Sequence, residues 1–210
     1  MKHFILTIVI LLICSIGSSC ARKTMSNSAG PKTGVHTYKL SPEMKKLAVF
    51  VGVWAYEGEQ VNSPMSDLFG KAGSFSGTIE ARFVLGGSFM ETKYEDKNPA
   101  GITKIIEITG YDPTQKNYVA NGYVSDGSRD TTVQTTSSDG RIWTSRKKFT
   151  DSTGKEVLLK CVLTFSPDCR SYISTEEYSV DWGKTWIHWY KFEARKVGRC
   201  ETESIKNYQR

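Results

Sequence analysis

The chain has 210 residues, 39% hydrophobic, 24% charged and 11% aromatic, which suits one folded domain plus processing segments and excludes wholesale disorder. Its formal charge of +6 comes from 28 basic against 22 acidic residues, and the signs are interleaved, as in Glu91-Thr92-Lys93-Tyr94-Glu95-Asp96-Lys97. A nucleic-acid binder would gather Lys and Arg on one face, so that class is set aside and a mixed-sign solvated surface is expected.

Lys2 and His3 precede an apolar run from Phe4 to Ile13, broken only by Thr7, and small residues at Ser15, Gly17, Ser18 and Ser19 lead to Cys20. This is the anatomy of a secretory signal peptide over residues 1–19. The run falls short of the roughly 20 apolar residues that a transmembrane helix needs. Gly17-Ser18-Ser19-Cys20 resembles the lipobox of bacterial lipoproteins, with Gly17 where an aliphatic residue is usual and Ile16 one place earlier. Cys20 is therefore the expected lipidation site, and several acyl chains on one residue would anchor the protein stably in the bacterial envelope. The alternative is simple secretion with Cys20 unmodified. Residues 20–36 are small, polar and aperiodic, as a flexible tether would be.

The folded domain is expected over 37–197, followed by a polar tail at 198–210. Ser41 as N-cap and Pro42 at the first helical position open a short helix whose stripe is Leu40, Met44, Leu47 and Val51. It ends near Phe50 and reads as a lid or plug. From Trp54 onward the period is two. Strands are predicted at Trp54–Gln60, Thr78–Leu85, Phe89–Tyr94, Ile102–Tyr111, Tyr118–Ser125, Arg129–Thr136 and Arg141–Phe149, then near Val157–Phe165, Ser171–Ser179 and Thr185–Lys196. Short turns such as Gly86-Gly87 and Asp126-Gly127 join them. About ten consecutive antiparallel strands make an all-β meander, which must curl to remove its edges. An up-and-down barrel is the leading architecture and a two-sheet sandwich the alternative.

Alternation assigns the interior. On the last strand Trp186, His188, Tyr190, Phe192 and Ala194 share one face, and Lys191, Glu193 and Arg195 the other. Val157, Leu159, Cys161, Leu163 and Phe165 share a second inward face. Trp182 and Trp189 are expected outside.

The order of short motifs resembles a bacterial family, the domain of unknown function 1579. Gly52-Val53-Trp54 follows the helix, Leu85-Gly86-Gly87-Ser88-Phe89 opens a strand, and Gly110-Tyr111-Asp112 precedes a turn. Asp126-Gly127, and then Asp181, Gly183, Lys184 and Trp186 ahead of Arg195, complete the series. The resemblance covers roughly residues 42–197 and implies a calycin-like barrel, as in lipocalins and fatty-acid-binding proteins, with a cavity and no established reaction. A more distant similarity, to nitrobindin-type haem barrels, rests on the Gly-x-Trp strand and on His188 in a late strand; there the glycine after the tryptophan is displaced to Gly58.

Little in the sequence argues for catalysis. His36 and His188 are the histidines left after the leader, too few for an ordinary zinc site or for a triad built from convergent motifs. Glu176 and Glu177 are adjacent, hence on opposite faces of a strand. Cys161 reads as a buried core thiol, whereas Cys169 falls opposite about Arg195, within reach of a disulfide to Cys200. The expectation is a non-catalytic barrel, without cofactor, enclosing a small, mainly apolar ligand among Trp54, Trp186, His188, Tyr190 and Phe192. A haem or enzymatic barrel using His188, and a packed envelope interaction module without a pocket, are the rivals.

Overall fold

A computed structural model describes residues 39–61, 72–99, 101–150 and 156–199 of the chain. The leader, Cys20, the tether and Cys200 lie outside these residues, and with them the expectations of lipidation and of the Cys169–Cys200 disulfide.

Ser41 accepts a hydrogen bond from the Met44 N–H at 3.1 Å and Pro42 begins α1 (Pro42–Lys46), which tightens into a 3-10 turn at Leu47–Val49. Leu40, Met44 and Leu47 bury the predicted stripe. Ten strands follow: β1 (Gly52–Gln60), β2 (Gly73–Val84), β3 (Phe89–Asn98), β4 (Gly101–Asp112), β5 (Asn117–Val124), β6 (Arg129–Thr136), β7 (Ile142–Thr150), β8 (Glu156–Phe165), β9 (Ser171–Ser179) and β10 (Ile187–Gly198). Each pairs antiparallel with its neighbour in sequence, and β1 pairs with β10, so the sheet is a closed barrel. The meander is an up-and-down barrel and the sandwich alternative falls away.

Two departures from the sequence pattern have physical causes. β2 starts at Gly73, well before the predicted Thr78. Ser74, Ser76 and Gly77 carry little strand propensity, but pairing with Glu57–Gln60 of β1 supplies the backbone bonds that propensity does not. At the start of β10 the register with β9 shifts between His188 and Tyr190, a β-bulge with Trp189 as the extra residue. The bulge reverses the inside–outside parity on its N-terminal side.

One end of the barrel is shut by the segment that precedes β1. The Phe50 ring packs edge-on against Trp143 at 5.1 Å and Phe165 at 5.0 Å between centroids. Trp54 Nε1 donates to the Phe50 carbonyl at 2.7 Å, and the Tyr118 hydroxyl donates to the Glu43 carbonyl at 2.9 Å. Edge-to-face pairs of this kind each contribute about 0.5–1.5 kcal/mol beyond their burial. Gly58 and Gly77 face inward, where a Cβ would stand 2.3 Å from the Lys191 carbonyl oxygen and 2.2 Å from that of Glu95. Their missing side chains leave room for Phe75 beside Gly58 and Tyr56 beside Gly77.

Phe50→Ala removes the ring that holds the plug against two strands and is expected to lower the unfolding free energy by about 2–3 kcal/mol. Urea denaturation measures this as a fall in midpoint at unchanged slope; an unchanged midpoint would show that Phe50 does not secure the closed end.

Candidate functional site

Inside the barrel is a cavity of about 610 Å³. Its floor is the plugged end, with Phe50, Trp54 and Tyr172; toward the other end it is lined by Gln60, Gly73, Asn98, Asp126 and Ser128. The interior is therefore not filled by its own side chains.

Its wall has two halves. Neighbouring strands β2, β1, β10 and β9 contribute an aromatic half: Phe75, Tyr56, Tyr190, Phe192 and Tyr172. Phe75 and Tyr190 stack at 4.4 Å with an interplanar angle of 11°, and Phe192 lies 5.1 Å from Tyr56 and 5.7 Å from Tyr172. Strands β4 to β9 contribute a polar half: Glu107, Asp130, Thr132, Gln134, Ser145, Lys147, Cys161, Ser174 and Glu176. The sequence expectation of a mainly apolar lining is corrected on this side.

Of the five residues named from sequence, the structure brings Trp54, Tyr190 and Phe192 together on the cavity wall. Trp186 and His188 do not join them. Trp186 precedes β10 in a turn held by Asp181, whose carboxylate accepts from the Thr185 N–H at 2.9 Å and its hydroxyl at 2.6 Å. Its ring lies 4.6 Å from the Lys160 ammonium, and Lys160 is paired with Glu177 on the outer face. His188 stands opposite the outward Glu177 and is exposed. Haem ligation inside the barrel through His188 loses its ligand on this geometry. Trp189, expected outside, is 4% exposed and packs with Val157, Leu159 and Tyr178 beside the cavity. The bulge explains all three displacements, and no residue type in the sequence announces it. Trp182 is exposed as expected.

Of the ionisable residues of the polar half, sequence reasoning names Cys161 as a buried thiol and Glu176 only to separate it from Glu177; Glu107, Asp130 and Lys147 it misses. Glu107 on β4 and Glu176 on β9 are five strands apart in a ring of ten, so they line opposite sides of the cavity. Between them Lys147 on β7 pairs with Asp130 on β6. Both glutamates touch the cavity yet lie deep in the barrel wall, and loss of bulk hydration dominates their protonation. Desolvation pushes the Glu107 carboxyl from 4.5 up to about 7; the Thr109 hydroxyl, donating at 3.1 Å, and Lys147 pull the other way, and Asp130 adds to the rise. Glu176 is also raised by desolvation, with Lys147 opposing. Cys161 is a free thiol 3.3 Å from the Ser174 hydroxyl; burial first, then the charge of Glu176, pushes it up, so it stays a thiol rather than a nucleophilic thiolate. Tyr56 donates to Asp96 at 3.0 Å, and Asn98 holds the other carboxylate oxygen at 3.0 Å.

Thr92 stands opposite Glu107 in the β3–β4 register and is 3% exposed. Its hydroxyl has no hydrogen-bond partner among the described residues, although it belongs to the cavity wall. Such a group costs about 1–3 kcal/mol when left unsatisfied. No group of three or more His, Cys, Asp and Glu side chains among the described residues is placed to hold a metal ion.

Between pH 4.5 and about 7 the folded protein keeps a proton on Glu107 that the unfolded chain has released. Its contribution to stability therefore falls as pH rises through that window. Glu107→Gln keeps an acceptor for Thr109 and removes the charge. It is expected to raise the unfolding free energy by about 1–3 kcal/mol at pH 8 and to do little at pH 4.5. Urea titrations at the two pH values check this; an equal effect at both would mean that Glu107 is not ionised inside the barrel.

No curated protein matches the chain. Residues 39–165, from α1 through β8, match the model of a family described as a protein of unknown function, DUF1579. With more than half of its length inside that match, the chain belongs to the DUF1579 family.

Proposed function

We propose that the barrel is a non-catalytic container for one small ligand, held at the envelope by a lipid on Cys20. The observation that carries the first half is the cavity of about 610 Å³, plugged at one end and walled by aromatic rings on one side. Protein interiors are packed to crystal-like density, and a void of this size costs dispersion contacts that a ligand would restore. Its volume lies in the range of small-molecule sites, about 300–1,000 Å³. The expected occupant is apolar along the aromatic half and polar where it meets β4 to β9, a narrower reading than the mainly apolar ligand suggested by sequence.

The neutral fluorophore 1-aminoanthracene is expected to bind the full-length chain with one-to-one stoichiometry. Thr132→Trp, which drives an indole into the cavity from β6, should weaken it at least tenfold while the circular dichroism is retained. Binding unaffected by that substitution would locate the probe elsewhere and remove the support for a container.

The second half rests on Gly17-Ser18-Ser19-Cys20 behind an apolar leader and ahead of a polar tether. No helix among the described residues is long and apolar enough to cross a membrane, so attachment would fall to the lipid. Metabolic labelling with palmitate in a bacterial host should mark the chain and lose the mark in Cys20→Ser. An unlabelled wild-type chain recovered from the medium would replace tethering with secretion.

A further inference from the structure

The charge inside the barrel runs against the charge of the chain. The whole sequence carries an excess of Lys and Arg, with a formal charge of +6. Among the described residues, however, the cavity wall presents Asp96, Glu107, Asp126, Asp130 and Glu176 against Lys147 alone. Lys147 is already committed to Asp130. Fold stability does not favour this inversion at Glu107 and Glu176, because each loses hydration inside the barrel.

We propose that the ligand is a small organic cation: an apolar or aromatic body bearing an ammonium group that pairs with Glu107 beside Thr92, with Glu176 adding to the negative field of the wall. This deepens the container reading and rests on it. Three independent features of the wall converge on such a group. Glu107 and Glu176 both put negative charge on the cavity wall, in a low-dielectric surround where charge pairing is strongest. Thr92, across the strand pair from Glu107, offers a buried hydroxyl with no partner among the described residues, which an N–H of the ligand would satisfy. On the other side Tyr190, Phe75 and Phe192 turn rings toward the same space, and aromatic faces attract cations as well as apolar carbon.

Competing ligand chemistries fit less well. A fatty acid or other anion would meet four carboxylates beyond the Asp130–Lys147 pair. A bare divalent metal needs three or more ligands at bonding distance, and no group of three or more His, Cys, Asp and Glu side chains among the described residues is placed to supply them. A neutral alcohol could take a hydrogen bond from a protonated glutamate, but it leaves the enclosed carboxylates without a counter-charge. Burial raises the Glu107 carboxyl to about 7, so the charged form is disfavoured there, and an ammonium beside it would favour that form.

The test is isothermal titration of the full-length chain at pH 8 with three probes that share a phenyl body: 2-phenylethylamine, 2-phenylethanol and 3-phenylpropionate. The amine is expected to bind at least tenfold more tightly than the alcohol and the carboxylate to bind weakest. In Glu107→Gln/Glu176→Gln the amine should lose at least tenfold and the alcohol change little. Alcohol and amine binding alike, or carboxylate binding best, would overturn the cation while leaving the container intact. Binding of none of the three would overturn both. Should the double variant fail to fold, the order of the probes on the wild-type chain decides the matter alone.

Discussion

The pairing of β1 with β10 is the interaction on which the rest of the molecule depends. Tyr56 stands opposite Ala194, Gly58 opposite Phe192 and Gln60 opposite Tyr190, and these bonds turn a ten-strand meander into a ring. An open sheet of that length would expose two edges and leave one whole face to be covered by other elements. The described part of the chain has only α1 and its 3-10 extension to offer, and these are just enough to cap one end. Closure thus provides an inside without helices, and the circumference of ten strands makes that inside larger than its side chains fill.

That excess space is distributed unevenly, for reasons of packing. At the capped end Phe50, Trp54, Trp143, Phe165 and Tyr172 interlock edge to face, and Trp54 and Trp143 are each 1% exposed. Each indole N–H there finds a carbonyl, Trp54 that of Phe50 and Trp143 that of Gly140. Farther along the barrel the strands bring Gly122, Thr132, Ser145 and Ser174 inward, and these small residues leave the cavity. The stability of the fold is concentrated at one end, and the other is free to carry groups that destabilise it. Enclosed glutamates and an unsatisfied threonine hydroxyl are such groups, and a core selected for stability alone would replace them with leucine or valine.

The sequence disclosed the ring far more readily than the site, and particular residues show why. Capping residues and period-two alternation with glycine-bearing turns are local signals: the Ser41-Pro42 cap located α1, and alternation located nine of the ten strand starts to within two residues and the inward faces of β8 and the later part of β10. It also placed Glu176 and Glu177 on opposite faces, and Glu177 does pair outward with Lys160. What it lacked was any term for distance across the barrel. Glu176 finds its counterpart in Glu107 on the opposite side of the ring, a relation that exists only after closure. The bulge at Trp189 defeated alternation for a different reason. One inserted residue leaves composition and local hydrophobicity untouched while it moves His188 outward and Trp189 inward. The most conspicuous residue in the sequence, a lone histidine among aromatics, was for that reason the least informative about the cavity.

Polarity along the wall is graded as well as divided. The floor is aromatic, Glu107 and Ser174 sit at mid-height, and Asp96, Asn98, Asp126 and Asp130 stand toward the end away from the plug. Hydration explains the order: a carboxylate near the mouth keeps part of its water, as the exposed side chain of Asp130 does at 42%, whereas one at the floor would keep none. Glu107 and Glu176 are therefore the exceptions, set deeper than the gradient alone would allow. Lys147 cannot offset both of them while it is bound to Asp130. Both groups therefore give the wall negative charge that the Asp130–Lys147 pair does not balance, which is the charge an organic cation would meet.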